Sequence, residues 1–76
     1  MTPLKQVGLN LKHFRKSERL RQTDLAEKSG VAYRHYQDIE AGKVNVSLDT
    51  LFRLAKVLKV KPHVLLFLVE LDHESA

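Results

Sequence analysis

Six residues between positions 33 and 40 carry side chains able to form hydrogen bonds, at the positions that Tyr36 and Ile39 leave outside the apolar face of a short helix: Tyr33, Arg34, His35, Gln37, Asp38 and Glu40. A guanidinium can donate two parallel hydrogen bonds to guanine O6 and N7, and a carboxamide can pair in the same two-pronged way with adenine. Tyr33 can contact a thymine methyl group or a phosphate. Asp38 can accept from the amino group of cytosine, or it can pair with a neighbouring cation. This set of groups suits a helix that meets base edges in the major groove.

Such a helix has to be held by the element before it. Residues 22–40 are typical of two short helices joined by a tight turn. Gly30 stands just past the last turn of the first helix, where a positive φ is cheap only for glycine. Ala26 is small, as a close crossing of the second helix requires. Tyr36 and Ile39 lie three apart and predict the inward face of that second helix.

A longer amphipathic helix precedes this pair. Thr2 can act as its N-cap, with Pro3 at the first helical position. Gly8 inside the helix costs about 1 kcal/mol relative to alanine, so we expect another helix to cross close to it. The apolar stripe has spacings of three, four and three residues and consists of Leu4, Val7, Leu11 and Phe14.

Ser47 is placed to cap a fourth helix over residues 48–58, and Pro62 is placed to open a fifth. An unbroken apolar run then extends from 64 to 69, followed by Leu71. A helix on one core needs only one apolar stripe, so a second surface has to cover this one. A homodimer contact is the simplest cover, and a larger core within one chain is the alternative. The expected dimer residues are Val64, Leu65, Phe67, Leu68 and Leu71.

Composition excludes several classes of function. The chain has 76 residues, enough for one domain, and it has no cysteine for a disulfide or a thiolate metal site. Its four histidines lack metal-ligand spacing, and no phosphate loop, nucleophile motif or paired catalytic carboxylate is present. We expect neither an enzyme nor a cofactor. Without a signal peptide or an apolar run of about 20 residues, we expect a cytoplasmic protein that makes no membrane contact.

The charge is distributed unevenly along the chain. Residues 1–43 carry nine Lys and Arg against five acids, and residues 44–61 carry four against one. Residues 62–76 carry three acids and no Lys or Arg, so the first 61 residues have a charge of +7 and the last 15 reduce it to the net +4. A basic region that coincides with the paired helices favours a nucleic-acid partner, although a solvated lysine-rich surface is the alternative.

Residues 7–67 resemble the Cro- and lambda-repressor-like (XRE-type) DNA-binding domain. Segments that match this family stand in the right order and spacing: Val7-Gly8, Leu11, Arg15, Gln22–Ala26, Gly30-Val31, Ile39–Lys43, Asn45–Leu51, Leu54-Ala55 and Leu58. The resemblance implies a compact, all-α, five-helix lambda-repressor-like domain over residues 1–76. Its helix-turn-helix would be 22–40, and its dimer contact would be the fifth helix and tail, 62–76.

The resemblance also assigns roles to individual residues. It implies a structural ion pair between Arg15 and Glu40, and a phosphate contact from Gln22 at the start of the second helix. Base contacts would come from Tyr33, Arg34 and Asp38, with Gln37 beside them.

Three further residues are expected at phosphates. Lys43 and Asn45, with free backbone N–H groups, resemble a phosphate clamp in the loop. Arg21 belongs to a cluster of cations that suits either a helix C-terminus or phosphates.

The sequence departs from the family pattern at five positions. The family usually has a Ser or Thr cap where this chain has Arg21 and Ala32, and an aliphatic residue at Tyr36. It often has proline at Val46 and glycine at Lys59.

These features predict a regulator that binds double-stranded DNA as a homodimer on a near-palindromic operator and blocks or recruits RNA polymerase. A phage Cro-like protein and a restriction–modification controller both fit. The alternative is a protein-interaction module on the same helical domain, such as an antitoxin whose fifth helix or tail binds a toxin.

Overall fold

Four α-helices and one 3-10 helix make up the part of the chain that the computed structural model describes, residues 2–67. Their bounds are α1 (Pro3–Ser17), α2 (Gln22–Ser29), α3 (Tyr33–Glu40), α4 (Leu48–Leu58) and the 3-10 helix (Pro62–Leu66). No strand occurs within residues 2–67, which confirms the all-α class. None of the helices in this range is both long and apolar enough to cross a membrane.

The count of five α-helices is not confirmed, because residues 62–66 form a single short 3-10 helix. Phe67, the residue after it, is extended, with φ −75° and ψ 152°. The carbonyl groups of Leu65 and Phe67 accept hydrogen bonds from the side chain of Asn10, at 2.8 and 2.6 Å. The extended backbone at Phe67 ends the helical path, and the Asn10 amide satisfies carbonyl groups at this helix end. Leu68, Leu71 and the rest of the predicted fifth helix and tail lie outside the described residues.

The helices pack around one apolar core, with α1 against α3 and α2 against α4. The core is formed by Val7, Leu11, Leu25, Ala26, Val31, Tyr36, Ile39, Leu51, Leu54, Ala55, Leu58 and Leu65. The position of Leu65 corrects its predicted role in a dimer contact. Its side chain is fully buried in the core of a single chain, so it is not available to a second copy.

Local sequence accounts for most helix ends. The Thr2 hydroxyl accepts from the Lys5 N–H at 3.2 Å, and the Ser47 hydroxyl accepts from the Thr50 N–H at 3.1 Å. Both residues are therefore N-caps, as their positions predicted. The start of α3 lacks a side-chain cap, because alanine occupies position 32.

Gly8 marks the point where α1 and α3 cross. A Cβ atom at this position would overlap the carbonyl oxygen of Glu40, the last residue of α3. The close helix crossing that a glycine inside α1 predicted is therefore present, and any larger residue would push the two helices apart.

Asn10 ties the 3-10 helix to α1. Its side-chain amide donates to the two carbonyls at positions 65 and 67, and its oxygen accepts from Gln6 Nε2 at 3.0 Å. The side chain of Asn10 is fully buried and that of Gln6 is nearly so. The hydrogen bonds of Asn10 to Gln6 and Leu65 are buried, and the one to Phe67 is partly buried. Because a buried amide without partners would destabilise the fold, this network also fixes the position of the 3-10 helix against α1.

Lys59 ends α4 in the left-handed region, with φ 63° and ψ 34°. We expect Lys59→Gly to raise the free energy of unfolding by about 0.5–1 kcal/mol, because glycine adopts this conformation without the Cβ penalty. Urea denaturation followed by circular dichroism measures this change.

Lys59→Ala is the matched control. It also removes the exposed ion pair between Lys59 and Glu18, at 3.6 Å, but it keeps the unfavourable φ. We expect no gain in stability from alanine. An equal gain from both substitutions would contradict the backbone explanation.

Candidate nucleic-acid interface

The turn between α2 and α3 sets the angle of α3. Gly30 caps α2 with φ 72°, and the Val31 N–H donates to the Ala26 carbonyl at 2.9 Å. Val31 is buried at the corner. Tyr36 and Ile39 anchor α3 to the core, with exposed fractions of 0% and 1%. The opposite face of α3 is thereby turned toward solvent.

The four predicted base-contact residues share this outer face. Gln37 Nε2 donates to the Tyr33 hydroxyl at 3.2 Å, and Arg34 Nε lies 3.7 Å from Asp38 Oδ1. The Arg34 side chain is 84% exposed, whereas that of Asp38 is 29% exposed. The face therefore presents two pairs of polar side chains, each spaced by one helical turn.

A polar groove of about 310 Å³ runs beside this face. It is lined by Gln22, Arg34, Gln37, Asp38, Ala41 and Lys43. Gln22 and Lys43, both predicted to contact phosphates, thus lie next to three of the predicted base-contact residues. Arg21 and Asn45 are exposed but do not line the groove.

A buried ion pair holds the end of α3 against α1. Arg15 donates from Nε and Nη2 to the two carboxylate oxygens of Glu40, both at 2.9 Å, and from Nη1 to the Leu20 carbonyl at 2.8 Å. Gln22 Nε2 donates to the same carboxylate at 3.0 Å, and the Tyr36 hydroxyl donates to it as well. Glu40 thus receives hydrogen bonds from α1, α2 and α3, which gives the three helices one common anchor.

The network shifts the protonation of its members. Burial alone would raise the pKa of Glu40, but hydrogen bonds from Arg15, Tyr36 and Gln22 outweigh it and lower the pKa below its usual range. Burial and the hydrogen bond to Glu40 raise the pKa of Tyr36 far above its ordinary value. The hydrogen bond to Glu40 likewise raises the pKa of Arg15. The network therefore holds a carboxylate, a guanidinium and a neutral phenol.

The structure corrects one sequence-based expectation about a backbone N–H and resolves another at the start of α2. The Lys43 N–H is not free for a phosphate, because it donates to the Asp38 carbonyl at 2.9 Å. Only the ammonium group of Lys43 keeps the predicted role. At the start of α2, Asp24 supplies the cap that Arg21 lacks. Its carboxylate accepts from the Arg21 N–H at 2.8 Å and pairs with the Arg21 guanidinium at 3.1 Å.

Sequence reasoning missed the contributions of Asp24 and Asn10. The first had a local signal, since an acidic residue three positions after an N-cap can accept from the backbone N–H of the cap. The second had none, because its acceptors lie 55 and 57 positions along the chain. Between Thr2 and Phe67, no three histidine or acidic residues converge as metal ligands would.

A profile of the HTH_3 family, described as helix-turn-helix, matches residues 11–65. The chain belongs to this helix-turn-helix family. The match includes the Arg15–Glu40 ion pair, the helices α2 to α4 and the buried Leu65. It makes the α2–α3 unit a DNA-binding helix-turn-helix.

Relatives of known sequence or structure agree with this assignment. An uncharacterized HTH-type transcriptional regulator of Methanocaldococcus jannaschii is 43% identical over 51 residues, which are 67% of this chain and 77% of the relative. The restriction-modification controller protein C.AhdI from Aeromonas hydrophila superposes with a TM-score of 0.79 at 34% identity, over 82% of this chain and 94% of that one.

A third comparison extends the likeness of fold. The clp gene regulator ClgR from Corynebacterium glutamicum superposes with a TM-score of 0.82 at 24% identity, over 87% of this chain and 70% of that one. At 24% identity, this comparison shows that the two proteins share the same arrangement of helices and carries no conclusion about function.

The hydrogen bond from Tyr36 to Glu40 gives a pH-dependent prediction. Tyr36→Phe should lower the free energy of unfolding at pH 7 by about 1–2 kcal/mol, since it removes a bond to a charged acceptor. Because the folded pKa of Glu40 is lowered, the stability from this carboxylate is present above its unfolded pKa and is lost as pH falls through the folded one. The difference between Tyr36→Phe and the wild type should therefore shrink on acidification.

Urea denaturation between pH 7 and pH 3 measures this difference. Tyr33→Phe is the control, because its hydroxyl accepts from Gln37 on the exposed face of α3, away from Glu40. Its effect should stay the same across the range. A Tyr36→Phe difference that is also independent of pH would contradict the coupling to Glu40.

Proposed function

We propose that this protein is a sequence-specific transcriptional regulator that inserts α3 into the major groove of duplex DNA and acts as a homodimer on a near-palindromic operator. The observation that carries the proposal is the outer face of α3, where four groups able to contact base edges lie beside the polar groove. The curated relative is itself an HTH-type transcriptional regulator, and the structural relative at 34% identity is a restriction-modification controller protein. We therefore favour the controller type over a phage Cro-like protein.

Different residues would contact the bases and the phosphates. Arg34 would read guanine and Gln37 would read adenine, with Tyr33 and Asp38 beside them. Phosphates would be contacted by Gln22, Arg21, Lys43 and Asn45. Gln22 already donates one amide hydrogen to Glu40, so its second amide hydrogen would serve the phosphate. That arrangement would connect the DNA backbone directly to the buried ion pair.

Exposed apolar side chains near the end of the described chain support a homodimer. Phe67 is 58% exposed and Leu66 53%, and Val64 is half-buried. The 3-10 helix also borders an open, mostly apolar groove of about 380 Å³ against α4, lined by Asp49, Phe52, Arg53, Lys56, Val60 and Pro62. A second copy that covers this surface would shield several apolar side chains from water. Leu68 and Leu71 would extend the same contact.

In such a dimer, the two copies of α3 would lie about 34 Å apart, on half-sites one helical turn apart. Binding would then block or recruit RNA polymerase according to where the operator lies. The same apolar surface also favours the second candidate, a protein-interaction module of the antitoxin type. A toxin or another protein would then replace the second copy.

Selection of duplexes from a random pool by the purified protein tests the proposed function. We expect a near-palindromic sequence to be enriched, and light scattering of the complex to give the mass of two chains on one duplex. Failure to enrich any sequence, with a partner protein that co-purifies in a fixed ratio, would favour the interaction module.

Substitutions on the two sides of the surface should have different effects. Arg34→Ala should lose about 1–3 kcal/mol of discrimination at one base pair, because a bidentate contact is removed. Lys43→Ala should weaken binding to all sequences alike and reduce the slope of affinity against salt by about 1, because only a phosphate contact is removed. Titrations at several salt concentrations measure both effects. Equal, sequence-independent losses for both variants would argue against base recognition by Arg34.

The dimer can be tested without DNA. Phe67→Arg should shift sedimentation at micromolar concentration from the mass of two chains to that of one, because a charge at the contact would be buried without a partner. Leu68→Arg should act in the same way. Leu9→Arg is the control, since Leu9 is a partly exposed apolar residue on the outer side of α1, 39% exposed. An unchanged mass for Phe67→Arg and Leu68→Arg would exclude this surface.

A further inference from the structure

We infer that Asp38 is a positioning residue that holds Arg34 for guanine and that makes DNA without this guanine a poorer ligand. The inference rests on the proposed function, and it replaces a direct base contact by Asp38. The negative charge of Asp38 is unexpected on a surface proposed to meet DNA. Asp38 is the only carboxylate on the outer face of α3 in the described chain, because Glu40 is turned inward to Arg15. A negative charge beside phosphates weakens binding unless a cation neutralises it.

The position of Asp38 is well determined by its surroundings. Its backbone carbonyl accepts the Lys43 N–H at 2.9 Å, so the loop after α3 closes onto this residue. Its side chain is 29% exposed and lines the polar groove together with Gln22 and Lys43. The carboxylate therefore lies at the edge where the groove meets the base-contact face, next to the surface proposed to meet DNA.

The geometry of the pair suits a supporting role. The guanidinium of Arg34 faces Asp38 with Nε, at 3.7 Å from Oδ1. A guanidinium held at Nε keeps both terminal nitrogens for donation, and two parallel donors match O6 and N7 of guanine. In the free protein the pair is exposed on the arginine side and contributes little to stability. Between protein and DNA, where water is displaced, the same pair becomes stronger.

Selectivity follows from the two states of Arg34. At a guanine, the guanidinium binds the base and stays over Asp38, so the carboxylate remains neutralised. At another base, the long side chain gains more by turning to a phosphate, and Asp38 is left unpaired against the DNA. Asp38 therefore strengthens the contact of Arg34 with guanine and weakens binding to DNA that lacks this guanine. Specificity arises here partly because the wrong DNA leaves a charge unpaired.

Asp38→Asn tests this inference, because it removes the charge and preserves the volume. Affinities are measured by fluorescence anisotropy at one salt concentration, for the duplex selected from the random pool and for a scrambled duplex of equal length. We expect the affinity for the selected duplex to fall about threefold or more, and the affinity for the scrambled duplex to rise by a similar factor. Opposite changes in the two affinities are the expected result, since a loss of folding would lower both.

Glu18→Gln is the matched control. Glu18 pairs with Lys59 at 3.6 Å, and the lysine side chain of this pair is 78% exposed, so the variant removes the same charge from a similar exposed pair away from α3. Its ratio of affinities for the two duplexes should equal that of the wild type. A double-mutant cycle adds a second readout: in an Arg34→Ala background, Asp38→Asn should no longer change the preference for guanine.

Three results would overturn the inference. An unchanged ratio of affinities for Asp38→Asn would show that the carboxylate does not affect selectivity. A loss of preference at a cytosine, with the guanine preference intact, would show that Asp38 contacts a base itself. A wild-type protein that binds selected and scrambled duplexes equally would overturn the proposed function along with this inference, whereas the first two results leave the proposed function in place.

Discussion

The buried pair between Arg15 and Glu40 is the interaction on which the remaining architecture depends. Both side chains are at most 10% exposed, the carboxylate accepts four hydrogen bonds, and the guanidinium donates three. Breaking such a pair leaves an uncompensated charge inside the protein, which is far more costly than the net gain from making it. The pair therefore acts mainly to exclude other arrangements of α1 and α3. It is the reason why a helix as short as α3, eight residues long, can present its outer face in one orientation.

Helix α1 connects the Arg15–Glu40 pair to the 3-10 helix and Phe67. Gly8 allows it to approach the end of α3, and Asn10, two residues later, holds the chain at Leu65 and Phe67. The surface proposed to contact DNA and the surface proposed for dimerisation are therefore both attached to one helix of 15 residues. In the proposed dimer, α1 would set the distance between the two copies of α3, which has to match the spacing of the two half-sites.

Local signals predicted much of this fold. The caps at Thr2 and Ser47, the turn at Gly30 and the apolar stripes each depend on residues within a few positions of one another, so the sequence reveals them directly. The 3-10 helix after Pro62 could not be predicted in this way. Its six-residue apolar run is equally compatible with an α-helix, and the amide that captures its carbonyls belongs to a residue more than fifty positions earlier. The candidate site follows the same division. Helix spacing predicts the polar outer face of α3, and the family resemblance predicts which of its residues contact DNA, whereas the hydrogen bond from the Lys43 N–H to the Asp38 carbonyl depends on the path of a loop.

The attachment of Phe67 to Asn10 has a mechanical consequence. A load applied to the chain at Phe67 would be borne by the two hydrogen bonds from the Asn10 side chain and by the buried Leu65 side chain. Helix α1 would pass this load to α3 directly, through the Gly8 crossing and the Arg15–Glu40 pair. Resistance to tension at Phe67 therefore depends on one amide side chain and one buried leucine, and we expect the 3-10 helix to detach before α1 separates from α3.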